Sequence, residues 1–334
     1  MNKIIPAKPE ERWRWVDCAK GVCIVLVVYG HVTGGLVASG GIRDGSIYDQ
    51  VRSWVYLFHM PAFFFLSGLF ARQMLGRTLG MVWSARIRTL VYPYVLWTGI
   101  YLLVQEIMAR HANHAPDVAR AAHFLWEPYG YGLWFLYSLF LISLLYYAIS
   151  LLRMPKPAVL LGAVVLSVAG EFNVFGFWPI LNTAMLYLVF YVVGGLYVET
   201  VSGWLAARRS PFWFGAGLLF LGLMTFVAWT LGRDEVPAGL MVAWLGIAGV
   251  VCLARGMADG VLGGVFAPLG FCSLEIYLGH PLFSVAARAG LSWCGCPRPA
   301  IYVISEVFCG VLLSFALAVF CRRYRFPYLF KWPA

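Results

Sequence analysis

Three histidines stand inside long apolar stretches of this 334-residue chain: His31, His59 and His280. With an ordinary pKa of ~6.5, an imidazole can take up and return a proton near neutrality. Ionisable groups are expensive in hydrocarbon and are kept there mainly where they act. A histidine in a helical bundle also serves simply to hydrogen-bond one helix to another. The levels of the three say more than their identity. At a helical rise of about 1.5 Å per residue, His31 lies ~22 Å from the inner edge of its stretch, His59 ~12 Å below the outer edge and His280 ~17 Å from the inner edge. In a hydrocarbon core ~30 Å thick, all three fall in the middle-to-outer part.

Helical phase sorts their neighbours. At about 100° per residue, Lys20 and His31 differ by ~20°, and Asp17 lies within ~60° of Lys20. One face therefore carries Asp17 and Lys20 at the inner edge and His31 roughly 16 Å above them. Lys20 reads either as a snorkelling interface lysine with Asp17 as its partner, or as the cationic end of a path that leads to His31. Ser273, Tyr277 and His280 share a face of a later helix, and Glu275 points elsewhere. Ser67, in "FLSG", reads as a packing residue beside Gly68. Arg72, Arg77, Arg86 and Arg88 precede "LVYPYVLW". They serve either as the cytoplasmic positive bias of a membrane protein or as a phosphate site, to which guanidinium forks are suited. No P-loop, dinucleotide fingerprint or zinc-like Cys/His spacing is present.

The elements that carry these residues follow from composition. The chain is 61% hydrophobic and 12% charged, with a mean hydropathy of +0.78. Soluble domains carry about 25% charged residues, so this is an integral membrane protein, all-α, a polytopic helical bundle. Its 14 Trp and 18 Tyr suit the two bilayer interfaces. Ten apolar runs approach the ~20 residues that span a bilayer: 16–37, 51–71, 87–108, 132–152, 158–174, 180–199, 211–231, 237–255, 269–290 and 300–321. The fifth is the weakest, because Glu171 and Asn173 close it early. With both termini in the cytoplasm, the outer segments hold only Arg43, Arg52, Arg110, Arg120, Arg233, Arg288 and Arg298 of the 25 Lys and Arg, and that asymmetry sets the orientation. The net charge of +10 is spread in short clusters between apolar runs, which argues against nucleic acid as a partner. The basic N-terminus, with Lys3, Lys8, Arg12 and Arg14, does not read as a cleavable signal. No loop is long enough for a soluble domain, so residues 1–334 read as one domain. Most of the eight cysteines read as buried small residues, while Cys294 and Cys296 share a short outer loop where a bridge would be strained.

Five stretches in order resemble one family. "WRWVDCAKGVCIVLVVYGH", "LFHMPAFFFLSGLF", "LVYPYVLW", "LWFLYSLF" and "SLEIYLGHPLF" resemble landmarks of the acyltransferase 3 family of integral-membrane O-acyltransferases, over essentially the whole chain. The resemblance is to its short stand-alone members, of the fucose 4-O-acetylase type. It implies a ten-helix core, an acyl-CoA donor, transfer to a hydroxyl of a cell-surface glycan, a bacterial inner-membrane location and His31 as the essential histidine. No fused esterase-like domain is expected. Many members carry Arg-x-x-Arg before the third helix, whereas this chain has Arg86-Ile-Arg88.

Residue placement and resemblance together imply one mechanism. Phosphates of cytoplasmic acetyl-CoA meet Lys20, Arg86, Arg88 and Arg72 at the inner edge. The thioester reaches the level of His31, which acts as general base on an acceptor hydroxyl or forms an acyl-histidine. His59, His280 or Tyr277 donate to the developing oxyanion or grip the sugar, and Asp17 and Glu275 support. No metal is involved. A proton-coupled exporter of a sugar or lipid-linked glycan is the alternative, set back by the lack of an inverted repeat and of paired broken helices. A structural subunit of a polysaccharide-synthesis complex is a third reading.

Overall fold

A computed structural model describes residues 13–111, 132–231, 236–296 and 298–332. Lys3, Lys8, Arg12, Arg120 and Arg233, which enter the orientation argument, lie outside the described residues. Those described form helices and no strand. In chain order these are α1 (Arg14–Ala38), α2 (Ile47–Tyr56), α3 (His59–Gly68), α4 (Leu79–Arg86), α5 (Tyr92–His111), α6 (Trp134–Leu151), α7 (Lys156–Glu171), α8 (Pro179–Ala206), α9 (Ser210–Thr230), α10 (Val236–Met257), α11 (Val261–Phe271), α12 (Ser273–Trp293) and α13 (Pro299–Arg323). Among the described residues, eight stretches are long and apolar enough to cross a membrane, and nine if the bent pair α11–α12 is one span.

The sequence predicts ten, and the differences have local causes. The fifth run becomes α7, only 16 residues or about 24 Å long, against a core of ~30 Å. The second run is interrupted at Leu57–Phe58 between α2 and α3. Pro61 explains that break, since its ring cannot sit against the carbonyl of residue 57 in a continuous helix. The expected ninth run begins inside α11. Pro268 lies within that helix, and the chain bends by 80° at Cys272 before α12 rises. The third run is continuous from Leu79, with a widened π turn at Ile87–Val91 just ahead of Pro93, where the missing N–H disturbs the ladder.

The chain forms two compact units, 1–62 with 201–315 and 63–200 with 316–334. In the first, α1 is the central helix and packs against α2, α10, α11 and α12. A Cβ on Gly21 would collide with the Phe266 carbonyl, and one on Gly270 with that of Asp17. Backbone therefore touches backbone between α1 and α11, as small residues permit in membranes. The α10–α11 turn is tied by Arg255 Nη1, which donates to Asp259 Oδ2 at 2.8 Å. That bond, with one from Ser210, holds the Asp259 carboxyl below the usual carboxylate range.

In the second unit, Gly68 lies against the Tyr191 carbonyl and Gly194 against that of Phe65, so α3 and α8 are equally close. Phe64 stacks on Tyr187 at 4.8 Å, and Trp134 on the same ring at 5.6 Å. The segment after α13 folds back on the α5 region. Trp97 Nε1 donates to the Leu329 carbonyl and the Tyr92 hydroxyl to that of Tyr328, both at 2.7 Å. All eight cysteines are free thiols, Cys294 and Cys296 included.

Candidate functional site

Within the first unit, His31 Nδ1 lies 3.0 Å from His280 Nε2, and the ring centroids are 5.0 Å apart. The sequence explains why His280 is held so. Pro281 follows it inside α12 and has no N–H to give to the carbonyl four residues back. That carbonyl belongs to Tyr277, and His280 Nδ1 reaches it at 2.8 Å, with the Ile276 carbonyl at 3.1 Å. A carbonyl only accepts, so the proton on His280 is on Nδ1 and its Nε2 is a bare acceptor. His31 Nδ1–H must then be the donor between the rings. The hydrogen-bond network thus leaves the lone pair on His31 Nε2 without a claim from His280. His280 is 1% exposed, whereas His31 is only part-buried. An accessible base is backed by a buried, oriented one.

His59 belongs to the same unit but is placed differently. It is 4% exposed, and its Nδ1–H donates to the Val55 carbonyl at 2.8 Å, just ahead of the break before α3. Its ring lies 4.9 Å from that of Tyr56, and the Tyr56 hydroxyl lies 3.1 Å from where a Cβ on Gly30 would stand. Tyr56 therefore sits between His59 and the turn of α1 that carries His31. Tyr277 is 6% exposed with its ring 6.3 Å from His280, and its clearest contribution is its backbone carbonyl. Asp17 is buried and Lys20 part-buried in the first turns of α1, and Glu275 stands part-buried in the first turn of α12. Among the described residues, no three His, Cys, Asp or Glu side chains converge as metal ligands.

Two further groups complete the surroundings of His31. On α12, two turns beyond His280, Arg288 grips Glu306 of α13 through Nε–Oε1 at 3.0 Å and Nη2–Oε2 at 2.7 Å. Glu306 is fully buried. The same guanidinium packs beside Gly35 and approaches the Val32 carbonyl at 3.5 Å. Ser284 donates to the Glu306 carbonyl at 2.9 Å, and a Cβ on Gly310 would collide with the Ser284 hydroxyl and stand 3.5 Å from His280 Cβ. This forked ion pair therefore joins α1, α12 and α13 one turn from His31. On α2, Arg52 is paired with Asp49, lies 3.7 Å from the Cβ position of Gly34 and stands 5.7 Å above the Tyr56 ring. Sequence reasoning missed both groups. Arg288 falls among the outer cations in the sequence, while Glu306, a carboxylate inside an apolar run, is as costly in hydrocarbon as the histidines.

In the second unit, the contacts of the three arginines differ. Arg72 pairs with Glu199, and the Arg86 guanidinium rests on the Met74 sulfur, Nη2 at 2.7 Å. Arg88 lines a cavity of about 370 Å³ with Trp83, Tyr92 and Trp332.

No solved structure matches the chain. The nodulation protein NolL of Mesorhizobium japonicum is 30% identical over 105 residues. That alignment spans 31% of this chain and 28% of the relative's length. The sequence model of the acyltransferase family described as "Acyltransferase domain" (Acyl_transf_3) matches residues 13–323. That match runs from the first described helix to the end of α13, so this multi-pass membrane protein belongs to that acyltransferase family.

Proposed function

We propose that the protein moves an acetyl group from cytoplasmic acetyl-CoA to a hydroxyl of a cell-surface sugar or glycan precursor, in a bacterial inner membrane. The observation that carries the reading is the 3.0 Å contact between His31 and His280, with the outer nitrogen of His31 left as the base. Family membership supports acyl transfer as the reaction class. Lys20 is the cation proposed for a donor phosphate. It stands roughly 16 Å along α1 from His31, and a pantetheine arm is long, thin and largely uncharged.

The chemistry balances without further groups. The acceptor oxygen attacks the thioester carbonyl carbon as its proton passes to His31 Nε2. The imidazolium keeps donating through Nδ1–H to neutral His280, whose own Nδ1–H leans on the Tyr277 carbonyl. This relay orients the base and spreads the positive charge. The tetrahedral intermediate collapses, the C–S bond breaks and the CoA thiolate leaves. His31 returns the proton to that sulfur, giving the O-acetyl ester and free CoA. The test is label transfer in proteoliposomes supplied with radiolabelled acetyl-CoA and a mixture of glycan precursors. Wild type should release CoA and label one acceptor, and His31→Ala should do neither. Folded wild-type protein that neither binds nor turns over acetyl-CoA would overturn the donor.

A further inference from the structure

We propose that the second unit carries a binding site for an anionic phospholipid, formed where α6 turns into α7. A cavity of about 200 Å³ opens there, and three cations line it: Arg72, Arg153 and Lys156. Three positive side chains on one small cavity repel one another unless an anion lies among them. Arg72 has Glu199 as a partner. Among the described residues neither Arg153 nor Lys156 pairs with a carboxylate; Lys156 instead lies 5.7 Å from the Tyr197 ring. Two cations therefore remain for a ligand.

Three local features fit this use. Arg153 sits at φ 50°, where glycine is the cheaper residue, so the guanidinium is kept at this turn against backbone preference. Lys156 is the first residue of α7, whose N-terminal N–H groups add partial positive charge. Non-helical geometry at Tyr197 kinks α8 beside the cavity. The other walls name the class of anion. Leu75, Met154 and Val159 line the cavity with the cations, and Leu151 and Leu152 next to it are 62% and 68% exposed. A cationic pocket continuous with apolar surface, at the end of membrane-spanning α6, offers a phosphate seat together with a surface for acyl chains. Such pockets between membrane helices hold anionic headgroups. A free nucleotide phosphate shares the anionic chemistry but has no acyl chain to lay on that surface. The site is independent of the histidine reaction.

The test is native mass spectrometry of the purified full chain in detergent, with added phosphatidylglycerol or phosphatidylcholine of identical acyl chains. Phosphatidylglycerol should be retained and phosphatidylcholine lost. The double variant Arg153→Ala/Lys156→Ala should weaken phosphatidylglycerol binding by about 30-fold, the effect of two interfacial cations. Arg153→Lys/Lys156→Arg should keep most of it. Should the alanine variant not fold, a photoactivatable phosphatidylglycerol on wild type should label the peptide 151–159. Equal retention of the two lipids, unchanged binding in the alanine variant, or label elsewhere would overturn the proposal. Displacement of phosphatidylglycerol by coenzyme A would assign the pocket to a nucleotide and overturn it equally.

Discussion

His280 and Arg72 are both polar side chains among apolar helices, and they are held in opposite ways. His280 is 1% exposed and fixed on both ring nitrogens, by a carbonyl that Pro281 frees and by His31. Arg72 is 39% exposed and joined to a carboxylate that is itself 77% exposed. The first arrangement fixes one tautomer and one ring orientation. The second leaves a screened pair of long side chains free to exchange partners. The difference teaches where each kind of chemistry is expected: proton transfer needs the preorganised imidazoles, whereas binding a charged group tolerates adjustable cations.

The largest effect expected is loss of the proposed base, His31. His31→Ala should lower kcat by about 10³-fold, with a modest fall in melting temperature because buried His280 Nε2 loses its donor. Steady-state CoA release in proteoliposomes checks it. Next comes Glu306→Gln, which leaves Arg288 without its buried counter-charge. Removing one partner of such a pair costs about 3–5 kcal/mol when both are buried. The Arg288 side chain keeps 24% exposure, so the loss should fall near the lower figure. Thermal unfolding in detergent measures it, and Arg288→Met/Glu306→Leu should recover most of the stability. A Glu306→Gln variant as stable as wild type would show that the buried ion pair does not hold α12 to α13.

Pro281→Ala sharpens the contrast at lower cost. The new backbone N–H competes for the Tyr277 carbonyl, so His280 loses part of its hold. A fall in kcat of about tenfold is expected, the equivalent of one hydrogen bond, with stability kept or raised. Unchanged kcat would show that the freed carbonyl does not orient the dyad. The smallest effect belongs to Arg72→Ala, where breaking an exposed pair should shift stability by less than about 1 kcal/mol.

Much of this is legible in the sequence, and the rest is hidden for identifiable reasons. Depth along a helix follows from residue count, so the shared level of His31 and His280 can be read from the chain alone. Depth does not say which neighbour a side chain faces. Arg72, Arg86 and Arg88 lie close in the chain, and their side chains meet Glu199, the Met74 sulfur and a cavity lined by Trp83, Tyr92 and Trp332. The short α7 is foreshadowed by Glu171 and Asn173, and Asn173 does turn at φ 55°. The 80° bend at Cys272 is not foreseen, although Pro268 marks it, because an apolar run reads the same whether straight or broken. Glu306 stands in plain view inside the last run.

The most direct test is a double-mutant cycle on kcat for His31→Ala and His280→Ala, with CoA release as the readout. If the two imidazoles act as one relay, His280→Ala alone should lose about 10²-fold, and the double variant should be no slower than His31→Ala alone. Full activity in His280→Ala, or losses that multiply in the double variant, would contradict the relay.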